Sequence, residues 1–210
     1  NLVVAGIEAL PLLKGKMVFT TVRLFGFTLD LKKKTPDGKL NLQFVIDAFA
    51  SKDTVKKKSN IDLRFNTILI RRGRFRYDVQ SAEYLPEKFD GQHIDVRNLS
   101  ANISLKAFNK DSLNANIKKM SFEESSGFKL NKLTLNLIGN KDSAFVDNFE
   151  IKLPQANLKI DHASINLTKV KQLKDWMNSA LITLSIPSSQ VCLKDLSPFV
   201  PAFHNFTDII

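Results

Sequence analysis

The stretch FEESSGFKLNKLTLNL, residues 122–137, ends with Leu133, Leu135 and Leu137 alternating with Thr134 and Asn136. Successive side chains of a β-strand point to opposite faces, so this period-two pattern predicts leucines on a dry face and the hydroxyl and amide on a wet one. The pattern recurs through the chain. Leu99, Ala101, Ile103 and Leu105 share one parity, and so do Leu113, Ala115 and Ile117, with Asn114 and Asn116 between them. Further strand-like runs cover residues 18–24, 25–31, 61–70, 75–79, 144–153, 156–160, 163–167 and 181–186, separated by Asn, Asp, Lys, Gly or Pro. A change of parity near Gly26 predicts a bulge that exchanges the faces. A second bulge at Gly73 puts Phe75, Tyr77 and Val79 on one face and Arg74, Arg76 and Asp78 on the other.

Elsewhere the period changes. TPDGK, residues 35–39, is a turn by its proline and Asp-Gly. In NLQFVIDAFAS, Leu42, Val45, Ile46 and Phe49 recur at helical spacing behind Asn41, which suits an N-cap, so a helix is predicted over residues 41–50. Thr168 precedes a second amphipathic helix, KVKQLKDWMNS, with Val170, Leu173, Trp176 and Met177 as its stripe. SAEYLPEKFDGQH reads as a long polar connection and LKDLSPFVPAF as a proline-punctuated, short helical or irregular segment. No linker or low-complexity stretch divides residues 1–210, which read as a single β-rich unit.

Of the 210 residues, 43% are hydrophobic and 25% charged, a composition that folds and is neither disordered nor collagen-like. No run reaches the roughly 18 apolar residues of a membrane span. The start, NLVVAGIEALPLLKGK, lacks the layout of a cleavable signal, so the expectation is a soluble piece of a longer protein. Cys192 is alone, which rules out an intrachain disulfide and suits a small buried hydrophobe. His93, His162 and His204 fall in no metal-ligand spacing, and no GxSxG, GxxxxGK[ST] or GxGxxG occurs. Neither a cofactor nor an enzymatic activity is expected, and Glu123 and Glu124 read as solvated residues of a Ser-rich turn.

The net charge of +10 is dispersed among KKK at 32–34, KKK at 56–58 and RRGRFRY at 71–77. Alternation parts the arginines of that last stretch from its rings, whereas a nucleic-acid platform needs both on one surface. The arginines are expected to form a solvated outer face carrying little of the stability. No nucleic-acid partner is expected, and weak attraction to anionic membrane surfaces is a secondary expectation.

About ten strands with one apolar face each carry more dry surface than two short helices and a tail can cover. The sheet can fold on itself as a sandwich, close as a barrel, or leave a trough for an apolar ligand. Composition alone favours the sandwich, which would make the chain a structural or adhesive module with no lipid ligand.

LPLLKGKMVFTTVRLFGFTLDLKKKTPDGKLNLQFVIDAF resembles the amino-terminal region of AsmA-like and TamB-like envelope proteins. EKFDGQHIDVRNLSANI, followed by IKKMSFEESSGFKLNKLTLNL, is similar to the TamB-like proteins of Bacteroides-type bacteria, with Phe-Asp-x-x-His-Ile and Glu-x-Ser-Gly-Phe leading into strands. The resemblance covers residues 9–203 and rests on turns and strand patterns, not catalytic signatures. It implies a mainly β, elongated, curved, mostly antiparallel sheet forming a hydrophobic groove, taco-like or half-barrel, with two short amphipathic helices. It further implies a periplasmic protein whose full-length form is anchored to the inner membrane by a tether absent from these residues. The partners implied are phospholipid acyl chains and, for the full-length protein, an outer-membrane barrel. The role implied is phospholipid transport between the inner and outer membranes and outer-membrane biogenesis. The groove lining it implies is Phe27, Leu29, Leu31, Phe75, Tyr77, Leu99, Ile103, Leu105, Leu133, Leu135, Leu137, Ile151, Leu153, Leu158 and Ile160. Of the 16 phenylalanines, Phe44, Phe49 and Phe199 are expected to be ordinary core.

Overall fold

The alternating runs form ten strands: β1 Leu2–Ile7, β2 Lys16–Phe25, β3 Thr28–Lys33, β4 Asp62–Val79, β5 His93–Asn109, β6 Ser112–Glu124, β7 Lys129–Asn140, β8 Ser143–Lys152, β9 Asn157–Asn166 and β10 Leu181–Ser185. The structure, a computed structural model, describes residues 2–8, 16–43, 62–109, 111–168 and 180–208. The second amphipathic helix, all but the start of the first, Phe44, Phe49 and the KKK at 56–58 lie outside the described residues.

One sheet contains all ten strands in the order β1-β2-β4-β5-β6-β7-β8-β9-β10, with β3 also on β4. It is mostly antiparallel and is not closed into a barrel. From β4 to β9 the strands run as a meander of antiparallel neighbours, joined by short, turn-like connections from β5 onward and by the longer polar connection 80–92 between β4 and β5. The β7–β8 turn shows the local cause: Asn140 Oδ1 accepts from the N–H groups of Asp142 and Ser143 at 2.8 and 2.9 Å. β2 and β3 depart from the antiparallel rule. They lie end to end along β4 and run parallel to it, a pairing that residues 34–61 are long enough to allow.

The bulge expected at Gly26 is a strand break. Gly26 takes φ 61°, its N–H donates to Arg71 O at 2.9 Å, and Arg74 N–H donates to Phe27 O at 2.8 Å, so the ladder to β4 resumes after the break. Asn41 serves the outer edge of β3. Its backbone N–H donates to Lys32 O, its Oδ1 accepts from Lys32 N–H, and its Nδ2 donates to Asp30 O, each at 2.9 Å.

Two pairs of predicted strands are each one strand. The predicted runs 61–70, from Asp62 onward, and 75–79 fall on the 18-residue β4, bulged at Arg72 and Gly73, and the runs 156–160 and 163–167 fall on β9, which spans Asn157–Asn166 through Asp161 and His162. β1 was not expected at all, since its LVVAGI shows no alternation. Some of the register shifts in the inner ladders fall beside residues in the left-handed region: Arg72 at φ 50°, Asn98 at 54° and Asn148 at 52°. Asn tolerates that region, and each bulge bends and twists its strand.

The tight packing lies at one end of the sheet. Val79, Leu130, Leu153 and Cys192 are buried there, together with Asp90 and Glu124, where the carboxy-terminal segment crosses the ends of the strands. Two 3₁₀ turns, Leu193–Leu196 and Pro201–Asn205, shape that segment. Asp195 Oδ2 accepts from the N–H groups of Gln155 and Ala156 at 2.8 Å each, and Asn157 and Gln190 exchange backbone hydrogen bonds at 2.8 Å.

Gly73 is needed for space. A Cβ placed there would sit 2.4 Å from Cε1 of Phe27, whose ring lies over the β4 bulge. Gly73→Ala should destabilise the chain by about 1–3 kcal/mol through overpacking. Combined with Phe27→Ala its extra cost should largely vanish, a non-additivity that urea titrations of the single and double variants will measure.

Candidate functional site

Register decides which side chains share a face, and here it gathers the apolar ones. One row crosses eight strands, Val3–Leu24–Ile70–Ala101–Met120–Leu133–Ile151–Leu158, each residue directly opposite the next. Beside it run Ala5–Val22–Ile68–Ile103–Ile117–Leu135 and Phe65–Leu105–Ala115–Leu137–Val146–Ala163–Leu184. On the β3 side, Leu29 and Leu31 stand opposite Phe75 and Tyr77, which face Val96 and Ile94 in turn. Pairs of this kind are the unit of sheet stabilisation, at roughly 0.2–1 kcal/mol each.

The residues expected to line a groove therefore share a single face. Leu99 stands opposite Gly73 on it, under the Phe27 ring, and Ile160 stands opposite Phe149. Leu153 lies just past β8 and is buried in the packed end instead of the open part of the face. The earlier set omits Leu24, Ile70, Ile117, Met120 and Val146. Parity alone includes them only if each bulge is placed correctly, and the bulges at Asn98 and Asn148, unlike the one at Gly73, carry no glycine to announce them.

This face is not sealed. Leu133, Leu135, Leu137, Ile151, Leu158 and Ile160 are only half-buried, and among the described residues the fully buried hydrophobic side chains are Val18, Val79, Ala101, Leu130, Leu153 and Cys192. The inner face of a sandwich is packed like a protein interior, so the described residues do not form one. At one end the face is closed by rings. Phe199 packs on Phe89 and Phe128, with centroids 5.0 and 4.9 Å away, Phe128 meets Phe122 at 6.0 Å, and Phe89 N–H donates to Pro198 O at 2.8 Å. Phe199 joins this aromatic plug while remaining partly exposed.

The opposite face is polar and ordered. Ser104, Asn116, Asn136, Asp147, His162 and Ser185 stand in one cross-strand row, in which Asn116 Nδ2 donates to Asn136 Oδ1 and His162 Nδ1 lies 2.6 Å from Asp147 Oδ1. Lys132 pairs with Glu150 at 2.5 Å. The arginines are not simply solvated. Arg74 grips Asp95 through Nε and Nη2 at 2.8 and 2.7 Å, Arg97 Nη2 reaches the same carboxylate at 2.6 Å, and Arg76 Nη2 reaches Asp30 at 2.7 Å. The Arg74 guanidinium holds Asp95 at about 2, below the usual carboxylate range and against the opposing effect of burial, with Arg97 assisting. The reading of Glu124 as a solvated turn residue is also corrected. Burial pushes its carboxyl up, but donors from Ser126, Ser125 and the Asp95 backbone outweigh that and leave it lowered. Asp30, Asp95 and Glu150 tie the sheet's polar side together, whereas Glu124, opposite Val96, belongs to the packed end.

His93 sits between Asp78 and the Ala82 carbonyl, at 2.8 and 3.2 Å. Among the described residues no group of three or more His, Cys, Asp or Glu side chains is placed to hold a metal ion, and no helix is long and apolar enough to cross a membrane. No family model, curated protein or solved structure matches the chain.

Because the native pKa of Asp95 is depressed below its ordinary value of 3.8, the pair stabilises the fold above that value and the contribution fades as pH falls through 4 towards 2. Arg74→Gln should thus destabilise the chain at neutral pH. The gap between variant and wild type should narrow as pH falls from 4 towards 2, in urea titrations across that range.

Proposed function

We propose that this chain is a lipid-holding segment of a bacterial envelope protein of the AsmA-like and TamB-like kind, and that its apolar face is the trough along which acyl chains lie. The observation that carries the reading is an apolar surface continuous from β1 to β10 and left open by the described residues, backed by a polar face with cross-strand ion pairs.

The physical chemistry suits such a role. An acyl chain leaving water gains about 0.8 kcal/mol per buried methylene, so a surface of Leu, Ile, Val and Phe holds lipid without a polar contact for each headgroup. Binding of that kind is tolerant of lipid identity and needs no catalytic group, and so the chain works by sheltering and passing its ligand, not by chemistry. The plug of Phe89, Phe128 and Phe199 ends the trough on one side and gives the acyl chains a boundary. On this reading the segment works in the periplasm, tethered to the inner membrane in the full-length protein, moving phospholipid towards the outer membrane and, with a barrel partner, serving outer-membrane assembly.

Organic extracts of the purified chain should contain phospholipid at near-stoichiometric amounts by mass spectrometry. A photo-crosslinking residue at Leu135 should capture phospholipid in cells, whereas the same residue at Lys119, on the polar face, should not. Lipid-free protein with equal or no capture at both positions would replace this reading with a structural or adhesive module whose apolar face is covered by protein.

A further inference from the structure

The two terminal strands differ from those between them. Each inner strand carries charged residues, whereas β1 reads LVVAGI and β10 reads LITLS. Among the described residues each terminal strand pairs with one neighbour only, which leaves an outer row of backbone N–H and C=O groups without a strand partner there. A free sheet edge in a solitary protein is ordinarily blunted by lysine, proline, a bulge or extreme shortness. Here the side chains are aliphatic even on the wet side, where Leu2 is 54% and Leu181 70% exposed. These are edges suited to pairing.

We propose that β10 of one copy of this chain pairs antiparallel with β1 of the next, so that copies extend the sheet head to tail. Strand direction supports the choice. β1 runs against β2, β2 runs with β4, and the sense alternates from β4 to β10, so β1 and β10 point in opposite directions. A copy translated sideways in the plane of the sheet therefore meets β10 with an antiparallel β1 and keeps its apolar face on the same side. The strands match in length, six residues against five. With Val4 opposite Thr183, Val3 meets Leu184 and Ala5 meets Ile182 on the apolar face, and that face continues across the junction. Pairing β10 with itself would leave β1 bare, whereas head-to-tail pairing uses both edges and, being heterologous, adds copies without closing. The proposal stands on the edges alone, whether or not the face carries lipid.

Analytical ultracentrifugation of the wild-type chain in a detergent-free buffer should show species that grow with concentration beyond a dimer. Ile182→Lys blocks β10 and Val3→Lys blocks β1, and each variant alone should be monomeric over a concentration range at least about tenfold above the wild-type midpoint. Mixed in equal amounts they should form dimers and nothing larger, since one intact β1 then meets one intact β10. Should either lysine reduce the strand signal in circular dichroism, Thr183→Lys and Val4→Lys test the same edges from the polar side. A monomeric wild type overturns the proposal. So does a Val3→Lys variant that still dimerises, which would mean β10 pairs with itself, or association unchanged in both variants, which would mean that apolar faces pack on one another.

Discussion

The pleat is the constraint on which everything else in this protein rests. A strand turns successive side chains to opposite sides, so a slip of one residue would send Leu133, Leu135 and Leu137 to the wet face and Thr134 and Asn136 to the dry one. A row from Val3 to Leu158 can stay apolar over eight strands only if every register shift restores the parity. The bulges at Arg72, Asn98 and Asn148 do this: each inserts or skips a residue where the pattern of one strand would otherwise fall out of step with its neighbour's.

The two faces are stabilised by different means. The polar face is tied by charge-assisted bonds across strands, of which the Arg74–Asp95 fork is the best formed, and by the amide pair of Asn116 and Asn136. The apolar face is stabilised by neighbouring side chains shielding one another, which leaves them half-buried. Burial is deepest at the end of the sheet, at Val79 and Cys192, where the carboxy-terminal segment is held down by Asp195 and by Phe199 between Phe89 and Phe128.

Much of this was readable one strand at a time. Alternation located most of the strands and put Phe75 and Tyr77 opposite in sense to Arg74 and Arg76, and the short connections predicted antiparallel neighbours. Where alternation was absent or broken, the reading failed. β1 has apolar residues at every parity, so it gave no strand signal. β9 was divided because Asp161 and His162 look like a turn, whereas His162 is held in the sheet by Asp147 on the adjacent strand. Glu124 looked solvated because its neighbours are serines, and those same serines bond to it in a buried turn.

The sequence by itself therefore determined that the chain would be mainly β and that each strand would have a dry and a wet side, since side-chain direction within a strand follows from local geometry. Only the tertiary structure decided which dry sides meet, that β2 and β3 lie parallel to β4, that the arginines clasp carboxylates, and that the described residues leave most of the apolar face only half-buried. Those are properties of register and long-range pairing. They depend on residues such as Asp30 and Arg76, or Phe89 and Phe199, that lie far apart in the chain and approach each other only when the sheet has formed.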